Sequence, residues 1–138
     1  MASVSTENYS GNRTFDVVAP TAFDASGPIL VEPGVLPNSV LPLTATIANR
    51  IGVYVEKLQA GDGDSGKVNV RLLNAGGTIR VKTSDDFAYG EYALAATGGT
   101  VTASATVVTG VVGQYLGPAV SSGAIIEILN GAPPVIVA

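Results

Sequence analysis

The sequence predicts an all-β fold, a small compact β-barrel or sandwich with an extended Pro-rich N-terminal arm. Three observations carry this expectation. From residue 50 onward, short runs alternate apolar and polar residues with the period of a half-buried strand. Clusters of Gly, Asn, Asp and Ser separate the runs. Ahead of them, prolines recur every few positions between residues 20 and 42.

Residues 1–14 are polar and without apolar period, the pattern of a flexible arm. They lack the basic start and apolar run of a signal peptide. The glycosylation sequons at Asn8 and Asn12 matter only in a secreted eukaryotic protein, a setting nothing else in the chain suggests. Residues 15–46 carry Pro20, Pro28, Pro33, Pro37 and Pro42. Proline removes a ladder donor and biases its predecessor toward extended geometry, so this stretch predicts extended chain with at most edge strands. The arm is therefore expected over 1–46. Within it, Phe15 and Phe23 either pack back on the domain or serve as anchors in another protein; core packing is the commoner use of an aromatic.

The domain proper is expected over 47–130. Strands are predicted over 50–56, 67–73, 77–82, 89–95, 100–108, 111–116 and 124–129. In the third, Ile79 and Val81 point one way and Thr78, Arg80 and Lys82 the other. Only residues 84–89 hold room for a helical turn. An internal echo links Ile51-Gly52-Val53-Tyr54-Val55 with Val112-Gly113-Gln114-Tyr115-Leu116, each followed by a Gly-containing turn and another strand. It predicts two related hairpins of one barrel, with glycine at a bulge or close approach. The remaining tail, 131–138, is apolar and uncharged, and as an exposed strand would invite aggregation unless its own domain or a neighbour covers it.

Composition narrows the chemistry. The 138 residues include neither cysteine nor histidine, which removes disulfides, thiolate nucleophiles, Cys- or His-based metal sites and the Ser-His-Asp arrangement. The net charge of −4 offers no basic surplus to track nucleic-acid phosphates. Residues 92–126 are uncharged, but Gly, Thr, Ser and Pro118 interrupt them too often for a membrane span. Charged residues are only 13%, about half the usual share, which points to surface covered by a partner or by copies of the chain.

Motifs that resemble chemistry have plainer explanations. Gly61-Asp-Gly-Asp-Ser-Gly66 matches a nucleotide fingerprint in letters, but a strand follows it and its aspartates would repel phosphate. Asp62 and Asp64 open like a calcium loop without the later oxygens or closing glutamate. Asp85 and Asp86 are adjacent on a loop, not a pair flanking a scissile bond. Glu56, Glu91, Glu127, Lys57, Lys67, Arg71, Arg80 and Lys82 are expected to face solvent. No nucleophile–base pair is present, so no catalytic residue, metal or cofactor is expected.

The order of the pieces resembles a family. Apolar-Gly-Val with a Gly-Asp turn, Gly66-x-Val-x-Val-Arg-Leu72 and Gly76-Gly77-x-Ile-x-Val81 lead to Gly90-Glu-Tyr-Ala-Leu94, Gly98-Gly-Thr-Val-Thr102, Val112-Gly113 and Gly123 to Leu129. Over about residues 48–130 this is similar to the small capsid cement, or head-decoration, proteins of tailed bacteriophages. The resemblance implies a small β-barrel on the outer surface of the virion capsid. It would bind the major capsid protein of an expanded head, as a homotrimer at three-fold and quasi-three-fold positions, and brace the shell against DNA pressure. It also implies an extended arm across the shell, here residues 9–42, with Arg13, Phe15 and Phe23 as the anchor candidates for capsid contact. The segment before Ala48 is longer and richer in proline than in short members, and the apolar tail beyond Asn130 is an addition. Nucleic acid and membrane are not expected partners. The alternatives are a fibre or lectin-like host-surface module using Tyr89 and Tyr92, and then a tail-tube subunit.

Overall fold

Among the described residues each alternating run after residue 50 contains a strand, but three are shorter than expected: the runs 89–95, 100–108 and 111–116 pair only over Tyr92–Ala95, Val101–Ser104 and Val111–Gln114. The structure, a computed structural model, describes residues 11–17, 27–44, 50–55 and 67–131, with the backbone alone at 56 and 57. The described strands are β1 (Asn12–Asp16), β2 (Leu30–Pro33), β3 (Val40–Pro42), β4 (Gly52–Lys57), β5 (Lys67–Leu72), β6 (Thr78–Lys82), β7 (Tyr92–Ala95), β8 (Val101–Ser104), β9 (Val111–Gln114) and β10 (Ile125–Leu129). In β6, Ile79 and Val81 are buried while Thr78 and Arg80 are exposed, the alternation read from the sequence.

The first five strands form one antiparallel sheet in the order β1-β5-β4-β2-β3. A bulge between Tyr54 and Glu56 bends it. The sheet curls until its two edge strands meet at a single bridge between Asp16 and Ser39, where the Asp16 N–H donates to the Asn38 carbonyl at 2.8 Å. Phe15, Val17, Ile29, Val31, Val40, Tyr54, Val68 and Val70 pack together as one core.

The other five strands make a three-stranded sheet, β8-β7-β9, and a two-stranded one, β10-β6. Isolated bridges join them, Tyr115 to Ile128 and Thr83 to Val101. Between them lies the larger core, which includes Ile79, Val81, Phe87, Ala93, Val101, Val112, Tyr115, Ile126 and Ile128. Phe87 meets Tyr115 edge-on, with ring centroids 5.9 Å apart. Leu30, Leu43 and Val53 of the first unit complete this core, so the two units share it.

Three expectations need correction. The sheets are open, and no closed barrel forms among the described residues. β1 and β3 meet only at the Asp16–Ser39 bridge, so no ladder between them closes the first sheet. The described parts of the expected arm are built into that sheet: β2 lies between β3 and β4, and β1 runs the full length of its register against β5. Residues 84–89, the one stretch with room for a helical turn, form none, and a short 3-10 turn occupies Thr97–Gly99 instead. At 84–89 the Asp85 and Asp86 carboxylates accept backbone N–H groups of Asp86, Ala103 and Ser122, bonds that compete with helix formation.

The internal echo survives as local geometry, one copy in each unit rather than two hairpins of one barrel. Gly52 pairs with Leu72, and a Cβ there would lie 2.6 Å from the Arg71 carbonyl oxygen. At Gly113 a Cβ would lie 2.0 Å from the Leu129 carbonyl oxygen. Both positions require glycine because backbone meets backbone there. Two residues on, Tyr54 pairs with Val70 and Tyr115 bridges Ile128.

Candidate partner interface

The three anchor candidates are placed differently. Phe15 is 7% exposed and packs inside the first sheet, opposite Val68. It belongs to the core with Val17, Val31, Val40 and Val68 and presents no anchor at the surface. Arg13, two residues earlier and exposed, lies over the Phe15 ring, its guanidinium carbon 4.9 Å from the centroid. Its Nη2 donates to Asn38 Oδ1 at 2.9 Å. Phe23 lies outside the described residues.

The bond to Asn38 leads to a feature that sequence reasoning missed. Residues 34–39 turn β2 into β3, and at the tip Val35 is 92% exposed and Leu36 59% exposed. The turn holding them is tightly bonded. Gly34 N–H donates to the Ser39 carbonyl at 2.8 Å, and the Leu36 carbonyl accepts from both Ser39 N–H and Ser39 Oγ. Asn38 adopts φ 57°, a left-handed conformation that asparagine tolerates better than most residues. Two aliphatic side chains thus stand in water on a fixed support, with the Arg13 guanidinium beside it. The available signal was an apolar pair enclosed by Pro33-Gly34 and Pro37-Asn38: turn formers usually surround polar residues.

Electrostatics tie this seam to the sheet. Lys67 Nζ donates to Asp16 Oδ1 at 2.8 Å. That hydrogen bond, with the charge of the Lys67 ammonium, holds the Asp16 carboxyl below its ordinary value of 3.8. Glu32, 9% exposed, is an inward acid on β2, and its Oε1 accepts from both the N–H and the Oγ1 of Thr44 at 2.9 Å. It fastens the chain leaving β3.

The remaining charged groups are dispersed. Glu91 Oε1 accepts from the Ala88 N–H at 2.7 Å, and Glu127 accepts from Thr78 Oγ1. Lys67, Arg80 and Glu127 face solvent as expected, while Arg71, Lys82 and Glu91 are half-buried. Arg71 Nη2 donates to the Gly76 carbonyl at 2.7 Å. The side chains of Glu56 and Lys57, the 61–66 loop with Asp62 and Asp64, and the tail beyond Gly131 lie outside the described residues. Among the described residues, no three acidic side chains gather as a metal site would require.

Tyr89 is 72% exposed on a turn, and Tyr92 is half-buried in β7. A shallow groove lined by Asp86, Phe87, Glu91, Val120 and Ser121 lies nearby in the chain. A second groove, mainly apolar, runs between the units and is lined by Tyr54, Val55, Arg71, Ile79, Arg80 and Ile125. Compared with known proteins, the chain matches no family model and no curated protein.

Proposed function

We propose that this protein is a capsid decoration, or cement, protein that binds the major capsid protein on the outside of an expanded icosahedral phage head and associates as a homotrimer. The order of Gly- and Val-bearing pieces over 48–130 motivates the assignment, and the all-β fold agrees with it. The observation that carries it further is the β2–β3 tip. An aliphatic pair exposed on a rigid turn loses little conformational entropy on docking, which favours insertion into an apolar pocket. Arg13 adds a cationic rim suited to a carboxylate or carbonyl on the shell. Shell contact therefore comes from the tip and Arg13, with Phe15 as the floor beneath the guanidinium.

The test is co-sedimentation with expanded, undecorated heads. Leu36→Ser is expected to weaken binding by about tenfold or more, as loss of a buried aliphatic anchor does, while leaving stability within about 0.5 kcal/mol. Binding equal to wild type would refute the role of the tip. Tyr89, exposed on a turn, with Tyr92 half-buried in β7, favours a second reading, a host-surface carbohydrate-binding module. Glycan binding lost in Tyr89→Ala, together with no binding to heads, would select it.

A further inference from the structure

We propose that Asn130, followed by Gly131, is a modification site: it deamidates to aspartate or isoaspartate when the junction between the two halves opens, and the closed junction keeps it as the amide. The inference goes beyond the shell assignment and does not depend on it.

The sequence supplies the reactive pair. Asn130-Gly131 is the one Asn-Gly step in the chain. In such a step the glycine nitrogen, having lost its proton to solvent base, attacks the asparagine Cγ. The amide nitrogen takes up a proton and leaves as ammonia, which closes a succinimide. Water then opens the ring at either carbonyl, giving aspartate or isoaspartate. Glycine favours the step because it has no side chain to obstruct the ring and its backbone turns freely.

The fold opposes each requirement. Asn130 follows β10 and is 7% exposed, so base and water reach it poorly. The connection from β5 to β6 bends around its amide, with Asn74 in a left-handed conformation at φ 61°. Asn130 Oδ1 accepts from the Asn74 N–H at 2.8 Å, and Nδ2 donates to the Leu72 carbonyl at 2.9 Å. Nδ2 also lies 3.5 Å from the Gly76 carbonyl, and the Asn130 N–H donates to the Gly77 carbonyl at 2.8 Å. The attacking nitrogen is engaged as well, since the Gly131 N–H donates to the Leu129 carbonyl at 3.1 Å. Closing the ring draws Cγ to bonding distance of that nitrogen and pulls the amide off the groups that hold it. Opening must therefore come first, with the loss of the two short amide bonds.

The product keeps the junction loose. Aspartate has no N–H for the Leu72 carbonyl, and isoaspartate adds a methylene to the main chain before Gly131. The step is one-way in water, so each opening that leads to reaction is recorded in the chain.

The test uses the full chain in mildly alkaline buffer, folded in one sample and in concentrated urea in the other. Peptide mapping by mass spectrometry follows amide-to-acid conversion at each asparagine. In urea Asn130 is expected to convert faster than any other asparagine. In the folded sample it is expected to convert about 30-fold more slowly than in urea, the factor set by two hydrogen bonds of ordinary strength. A Cβ at Gly131 would lie 3.8 Å from Asn74 Oδ1, an ordinary contact, so Gly131→Ala is expected to fold and to lose most of the conversion in urea. The converted fraction of the folded sample, separated by anion exchange, is expected to exchange amide hydrogens about fivefold faster over residues 72–77. Equal rates in folded and unfolded chain, conversion unchanged by Gly131→Ala, or hydrogen exchange unchanged by conversion overturns the proposal.

Discussion

The two halves of the molecule bury their apolar residues by different means. In the first, five strands share one continuous antiparallel ladder that curls until its edges touch at Asp16 and Ser39. In the second, two small sheets are joined by isolated bridges and held by the side chains between them. Backbone pairing organises the first unit, and packing around Phe87 and Tyr115 organises the second. The difference shows in what each leaves outside: the first projects the Val35–Leu36 tip beside its seam, and the second leaves a groove along β10.

The largest expected effect separates the two cores. Phe87 is 2% exposed within the shared core, and Phe87→Ala should cost about 4 kcal/mol. Phe15, more peripheral at 7%, should cost about 3 kcal/mol on the same change. Urea unfolding of both variants would check this. A larger loss at Phe15 would mean that the curled sheet, not the shared core, dominates stability.

A smaller effect is expected where the halves are tied. Asn130 is buried after β10; its Oδ1 accepts from the Asn74 N–H at 2.8 Å and its Nδ2 donates to the Leu72 carbonyl at 2.9 Å. Asn130→Ala leaves the Leu72 carbonyl and the Asn74 N–H, at a partly buried junction, without these partners, at a cost of about 1 kcal/mol. Hydrogen exchange should show the loss of protection concentrated near residues 72–77. A uniform loss throughout would make the two halves one cooperative unit.

The smallest effect is at the seam. Because the Asp16 pKa is lowered in the folded chain, its contribution to stability is present above the unfolded value of 3.8 and is lost as pH falls through the lower folded value. An NMR titration of the Asp16 carboxyl should show the depressed value in wild type and its return toward 3.8 in Lys67→Gln. An unchanged titration would remove Lys67 as its cause.

What the sequence made legible follows from period and range. Alternation over four to six residues reports which way side chains face, so strands after residue 50 and the inward pair Ile79 and Val81 were readable. It does not report which strand lies alongside, and the open seam at Asp16 and Ser39 is a matter of partners. Proline misled in a specific way. Pro33 and Pro42 stand at strand ends, where a missing N–H is tolerated, so a proline-punctuated stretch still supplied β2 and β3. Of the candidate contacts, Arg13 was readable as an arginine of the kind that anchors interfaces, but its support by Phe15 and Asn38 required the register of β1 and the conformation of a distant turn.

The most direct test of the central claim is a cryo-EM map of expanded, undecorated heads of the cognate phage incubated with this protein. The account predicts added density at three-fold positions, with the turn bearing Val35 and Leu36 against the shell. Absence of added density at saturating protein, or density with that turn facing solvent, would contradict it.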